Sequence, residues 1–560
     1  MSTTNAKSVL SRRELLIRSF AGASGILSAS VLGDMAAAAV SGPPAAPPVA
    51  TSSRRGGTIS MMSYTGPDSL IPQFYSTGPA RFMFGMMFTA LLRWTPELQL
   101  AGWLADKWEA GADATTYTFH IRQDAVWSDG RPITAEDVEF SIRAIADPGY
   151  NGIDWDFVSQ ISGAAERRKD ASKALTGVKV VDEKTVQLKT VKPYAALLSG
   201  LGAEMMILPK HVLGSIPSAE MKKSPFAFAP TVSSGPFKYV KYAADQYLEI
   251  EANDKYFLGK PNLDRIIIKI LSADVAVAQL ERGELDIIPG YGGLSIPPIE
   301  VERVKKMPHV VVTAMPGEFL QYIVLNHRNP KFKDVRVRQA IAHSIDQKAI
   351  LDKVVLGYGV LNPGPSNSNY PYYNDKVKGY PFDPARSKAL LKEAGWDTAT
   401  ELVISYPPGG ARDAMAPILQ AYMNAVGFKV RLEVQQLAQL LSRIEKQPET
   451  YDMTLLGYRG YFDPDTFLYR RFHTKAIPNP NLQYYSNPEV DKLLEKGQTM
   501  VNEKDRRPIY DEVQRIIMED LPVIPQFVDS PVAGRNKRLV GPRQTVVRMT
   551  DNIHEWRLTG

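Results

Sequence analysis

The sequence predicts an α/β protein with more than one lobe, and three observations carry that prediction. The chain has 560 residues, more than a single hydrophobic core accommodates. Strand-type and helix-type hydrophobic periods are mixed along it without regular alternation. No internal repeat is visible, so a solenoid or propeller is not expected.

The elements follow in chain order. Ser11-Arg12-Arg13-Glu14-Leu15-Leu16, a weakly apolar run and Ala36–Ala39 read as an export signal over residues 1–39. The paired arginines resemble a twin-arginine signal, which implies the Tat export machinery and passage in a folded state. Leu15 stands where Phe is commoner, and Ile17 where Lys often sits. Arg18, Ser19 and Gly22 make the run too polar and too short for a membrane anchor. Residues 40–57 read as a Pro/Ala/Ser linker, with order expected from Thr58.

Tyr117, Phe119 and Ile121 alternate with polar residues, the pattern of a strand with one wet face. Ile266–Ile270 suits a strand covered on both faces. Val430, Leu432 and Val434 alternate again. Thr134–Asp137 reads as a capping box opening a helix. Asp274 is expected to cap a helix that Gly283 stops, and Asp334 to open another. Asp383-Pro384 and Asn487-Pro488 place a cap before a proline at the first helical position.

Composition narrows the chemistry. The chain has no cysteine, which excludes disulfides, thiolate metal sites and a lipid-anchoring cysteine. A formal charge of +6 is spread thinly, with no basic run, so nucleic acid is not an expected partner. The seven histidines are scattered without metal-ligand spacing. No G-x-S-x-G elbow or phosphate loop occurs, and neither a metal nor a cofactor is expected. Gly290–Gly293, flanked by prolines, reads as a surface loop. Met83, Phe84, Met86, Met87 and Phe88 read as core, with a pocket lining as the alternative. Asp463 and Asp465 allow acid/base chemistry or helix-start roles.

Several ordered blocks resemble the family 5 solute-binding proteins of ABC transporters, the dipeptide- and oligopeptide-binding type. They are Ala90–Trp94, Leu104–Trp108, Tyr117–Arg122, Trp127–Val138, Ser234–Lys238, Asn262–Ile266, Gly283–Asp286, Phe332–Ile341 and Asp463–Asp465. Their order covers about Gly57 to Gly541. The resemblance implies a two-lobed periplasmic-binding-protein fold, type II-like, with an extra subdomain in the first lobe. Mapped onto this chain, lobe I comprises residues 58–95, 226–318 and 526–560, with the accessory subdomain at 96–225 and lobe II at 319–525. It implies a soluble, monomeric periplasmic binder that captures a solute between lobes and delivers it to an ABC permease.

Within that frame two segments are expected to hold the ligand. Tyr64, Thr65 and Asp68 follow the first strand. Tyr458, Arg459, Tyr461 and Asp463 are expected to face them across the cleft. Arg459 offers a planar donor fork to a carboxylate, or pairs with a structural acid. Tyr458 and Tyr461 cover the ligand or pack between lobes. Peptide binders of this family usually carry an aspartate for the peptide amine where this chain has Gly460. That departure opens the ligand to opines, glycosides and other polar solutes beside peptides. A secreted hydrolase using Asp463 and Asp465, and a ligand sensor on the same fold, are the alternatives.

Overall fold

The computed structural model describes residues 55–111, 114–291 and 293–559. The expected signal and nearly all of the linker lie outside the described residues. Two large sheets organise the rest. A seven-stranded sheet gathers Thr58–Ser63, Phe237–Ala243, Tyr247–Ala252, Arg265–Ile270, Ile287–Ile288, Val310–Ala314 and Val532–Asn536. A six-stranded sheet gathers Phe319–Leu325, Gly359–Leu361, Glu401–Tyr406, Lys429–Val434, Met453–Arg459 and Val523–Asp529. Both mix parallel and antiparallel pairs, with helices against them. The first lobe is therefore built from separated stretches of chain, and the second from one.

The chain passes between these sheets twice, at residues 315–318 and at residues 530–531. The sequence reading ends the second lobe at 525, inside the strand Val523–Asp529. That strand pairs with Phe319–Leu325 and Gly359–Leu361 along its length, so the return crossing lies at Ser530-Pro531. Residues 96–225 carry an antiparallel four-stranded sheet running from Ala105 to Lys189. They have no core of their own: Ile59, Met87, Phe119, Trp127 and Val138 belong to one continuous apolar cluster.

Local chemistry explains most elements. Tyr117, Phe119 and Ile121 are buried and their neighbours half-exposed. Thr134 and Asp137 close the capping box, and Asp137 also accepts from the Lys210 amide at 2.9 Å. Asp334, Asp383 and Asn487 cap their helices. Two expectations need correction. Ser272, one residue before the helix Ala273–Glu281, takes the cap, and Asp274 sits inside the first turn. Ile266 and Ile268 are buried, but Ile267 and Lys269 face a half-open side of the sheet.

The two crossings press against each other. A Cβ on Gly317 would lie 1.6 Å from the carbonyl oxygen of Asp529, so only glycine lets the backbones meet. The Met315 amide donates to Pro531 O at 2.8 Å. Asn367 Nδ2 donates to Gly317 O at 3.2 Å and to Glu318 O at 3.1 Å, and Tyr370 Oη donates to Glu318 O at 3.2 Å. The first crossing is thus bolted to the second lobe. Gly317→Ala must part the crossings and is expected to lower unfolding free energy by about 1–3 kcal/mol. Urea denaturation of the variant measures this.

Candidate functional site

Where the lobes meet, a cavity of about 670 Å³ opens beside the crossings. Its walls come from both lobes: Tyr64, Arg81 and Tyr291 from the first, Arg412, Arg459 and Tyr461 from the second. Asp529, Ser530 and Pro531 of the return crossing line it too. The size falls within the range of about 300–1,000 Å³ usual for small-ligand sites.

The first wall is held by Asp68 from behind. Its carboxylate accepts from the Ser76 amide at 2.8 Å, Ser76 Oγ at 2.7 Å and Thr77 Oγ1 at 2.9 Å, and pairs with Lys222 at 3.1 Å. This fixes residues 76–77 at the start of the helix Gly78–Phe84, which carries Arg81. Burial raises the Asp68 pKa, but these donors outweigh it and hold the carboxyl below its ordinary value.

Arg81 is buried, donates to Tyr75 Oη at 3.0 Å and pairs with Glu204. Across the cleft, Arg459 Nε and Nη2 donate to Glu318 at 2.9 and 3.2 Å, a two-pronged pair. Both guanidinium groups lie over the ring of Tyr461, at 5.7 Å for Arg81 and 5.4 Å for Arg459. Phe157 meets the same ring edge-on at 5.2 Å. Tyr461 belongs to the second lobe yet packs on the apolar cluster of the first. It ties the two halves together. Burial opposes the charge on both arginines, and neighbouring Tyr75 and Glu204, or Glu318, outweigh it and hold both well above the usual value.

Two charged groups in the wall lack such a partner. Arg412, at the start of the helix Ala411–Val426, donates only to Pro407 O at 3.2 Å, with no ion pair among the described residues. Burial pulls its pKa down. Asp529 closes the strand Val523–Asp529, and its buried Oδ1 has no hydrogen-bond partner among the described residues. Burial, reinforced by the negative Glu318 nearby, pushes its pKa up to about 7.

Of the residues expected from the sequence, Tyr64, Arg459 and Tyr461 line the cavity together. Thr65, Asp68, Tyr458 and Asp463 do not. The Thr65 carbonyl accepts from Ser63 Oγ at 2.7 Å, and Asp68 acts one layer back. Strand alternation turns Tyr458 into the second lobe, against Tyr322 and under Arg471. Asp463 is buried, bound by Arg506 at 2.8 and 2.9 Å, and caps the turn at Asp465. Asp465 is buried beside it, its pKa pushed up to about 7 by burial and then by Asp463.

Gly460 also has a structural cause. A Cβ there would lie 2.2 Å from the Phe467 ring, and Tyr370 Oη donates to its carbonyl at 2.9 Å. The backbone has no room there for an aspartate, the residue the family resemblance leads one to expect. The loop at Gly290–Gly293, expected at the surface, leaves Gly293 exposed and lines the cavity through Tyr291 and Gly293, where a Cβ would lie 2.8 Å from the Tyr64 ring. Met83, Phe84, Met86, Met87 and Phe88 are buried core. Sequence reasoning missed Arg81, Arg412, Glu318 and Asp529. Only the Pro407-Pro408-Gly409-Gly410 turn before Arg412 offered a signal.

Residues 99–479 match the family described as bacterial extracellular solute-binding proteins, family 5. The chain belongs to that family. Members are extracytoplasmic binding proteins, and among the described residues no helix is long and apolar enough to cross a membrane. The oligopeptide-binding protein AppA of Bacillus subtilis is 25% identical, with 88% of this chain and 90% of that protein covered. The heme-binding protein A of Haemophilus influenzae is 29% identical, over 75% of this chain and 78% of its own. The solved ABC transporter substrate-binding protein CtaP of Listeria monocytogenes superposes with a TM-score of 0.77 at 26% identity, covering 90% of this chain and 100% of CtaP. The family 5 protein described here is therefore a two-lobed solute binder of the ABC-transporter type, and a hydrolase is not favoured.

The position of Asp463 makes a prediction. Arg506→Met strands a buried carboxylate and is expected to cost about 3–5 kcal/mol in unfolding free energy. Arg506→Met with Asp463→Leu should recover most of it. Chemical denaturation of both variants checks the pair.

Proposed function

We propose that this protein captures a short peptide, or a similarly compact solute with charged ends, in the cavity between its lobes and hands it to an ABC permease. The observation that carries the reading is the charge pattern of the wall. Arg81 and Arg459 are already neutralised by buried glutamates, while Arg412 and Asp529 are not. A solute with one acidic and one basic end satisfies both, and aromatic rings cover its middle. The relatives support this in kind, since AppA binds oligopeptides and the Haemophilus protein heme. The cavity volume favours a solute of a few residues over a long chain.

Ligand contacts on both lobes favour the closed arrangement over an open one, and only that difference shifts the population. The crossings at residues 315–318 and 530–531 are the natural hinge. The twin-arginine signal and a periplasmic address rest on residues 1–39 of the sequence. Tyr64, Arg459 and Tyr461 are assigned to the solute as wall residues, and Asp68 as the support of the loop behind Arg81. Arg459 is placed as a neutralised structural cation, and Arg412 as the residue that meets the acidic end.

Mass spectrometry of solutes released from the freshly purified protein tests the class directly. By isothermal titration calorimetry, Arg412→Ala should weaken Ala-Ala-Ala by about 1.5–3 kcal/mol, the worth of a hydrogen bond to a charged group. It should leave the C-terminal amide of the same peptide nearly unchanged. Equal loss for acid and amide would remove Arg412 from the site.

A further inference from the structure

We infer that Asp529 is the residue that receives a positively charged ammonium group of the solute, taking the role that Gly460 leaves empty. The inference rests on the solute-capture reading above and names one chemical requirement of it. Gly460 has no space for a side chain because Phe467 fills it, so a cationic end needs another anion. Asp529 is the carboxylate in the cavity wall, and it stands on the crossing where both lobes converge. It has no ion pair among the described residues, and its buried Oδ1 is turned toward the Gly317 crossing, 3.0 Å from where a Cβ on that glycine would lie.

A half-buried carboxylate met by the backbone amides of Phe319 and Asp529 but by no cation is costly to keep ionised, and an incoming ammonium offsets that cost by forming a charge-assisted hydrogen bond. Glu318 and Glu204 are committed to Arg459 and Arg81, and Asp154, buried behind Arg81, lies outside the cavity wall. Tyr358, also in the wall, is held from outside by Lys305 at 3.0 Å. Glu318 faces Asp529 as a like charge, which deepens the preference for a cation between the solute and this corner. Arg412, in the same cavity, disfavours an ammonium at its own end and so sets the direction of the solute. No histidine contributes to the wall.

The ammonium has two sources, a free N-terminus or a lysine-type side chain. Calorimetry with Ala-Ala-Ala, N-acetyl-Ala-Ala-Ala and N-acetyl-Ala-Lys-Ala separates them, on the native protein and on Asp529→Asn. The expected result is that acetylation weakens native binding at least tenfold, with the lysine peptide restoring it only if the side chain reaches the site. Asp529→Asn should bind the free and acetylated peptides within about threefold of each other. Affinity of the native protein for Ala-Ala-Ala should fall roughly tenfold from pH 7 to pH 5.5, because Asp529, with a pKa near 7, must be ionised to pair. Asp154, buried behind Arg81 and also pushed up to about 7, titrates in the same range, so the flat profile expected of Asp529→Asn assigns the effect. Discrimination that survives in Asp529→Asn, or native binding indifferent to acetylation, overturns the inference and leaves solute capture standing. Native binding of neutral glycosides but of no peptide, free or acetylated, overturns it together with the peptide class. Binding of no solute in any arm overturns both the inference and the capture reading.

Discussion

The structure depends on two stretches of backbone that touch where the chain changes lobes. Gly317 and Asp529 meet so closely that no side chain fits between them. Because each sheet completes its own pairing, these crossings are the covalent links between the large sheets among the described residues. Two of the charged groups at the cavity are positioned by them. Glu318 follows Gly317 and fixes Arg459, while Asp529 closes the strand opposite.

Charge is distributed in this cavity by neutralisation rather than by accumulation. Buried Arg81 and half-buried Arg459 each carry a matched glutamate, and their guanidinium groups lie over one tyrosine between the lobes. Such pairs cost desolvation and add little net stability, but removing one partner is expensive, which keeps the geometry fixed. On the proposed reading, what remains for a ligand is the imbalance left by Arg412 and Asp529. The same logic separates Asp463 from the site, since a carboxylate bound by Arg506 and capping a turn has no capacity left for a solute.

Much of the architecture was legible because it rests on short-range rules. The capping box at Thr134, the alternation at Tyr117 and the ordered family blocks all leave marks within a few residues. Arg459 and Tyr461 were legible for the same reason, lying just after a clear strand. Tyr458, Thr65 and Asp463 were placed with them on proximity in sequence, but a strand sends alternate side chains to opposite faces and a buried partner can claim a carboxylate. The residues not foreseen depend on distant chain: Glu318 on Arg459, Arg81 on Glu204, and Asp529 on the crossing that faces it. The return crossing at Ser530-Pro531 was likewise set by pairing with strands far away in sequence.

The most direct measurement is a crystal structure of the protein holding the solute that travels with it through purification. Ordered density inside the cavity, touching residues of both lobes beside the crossings, is the expected result. Density confined to the outer face of one lobe, or contacts from a single lobe only, would contradict the claim that the solute is held between two halves.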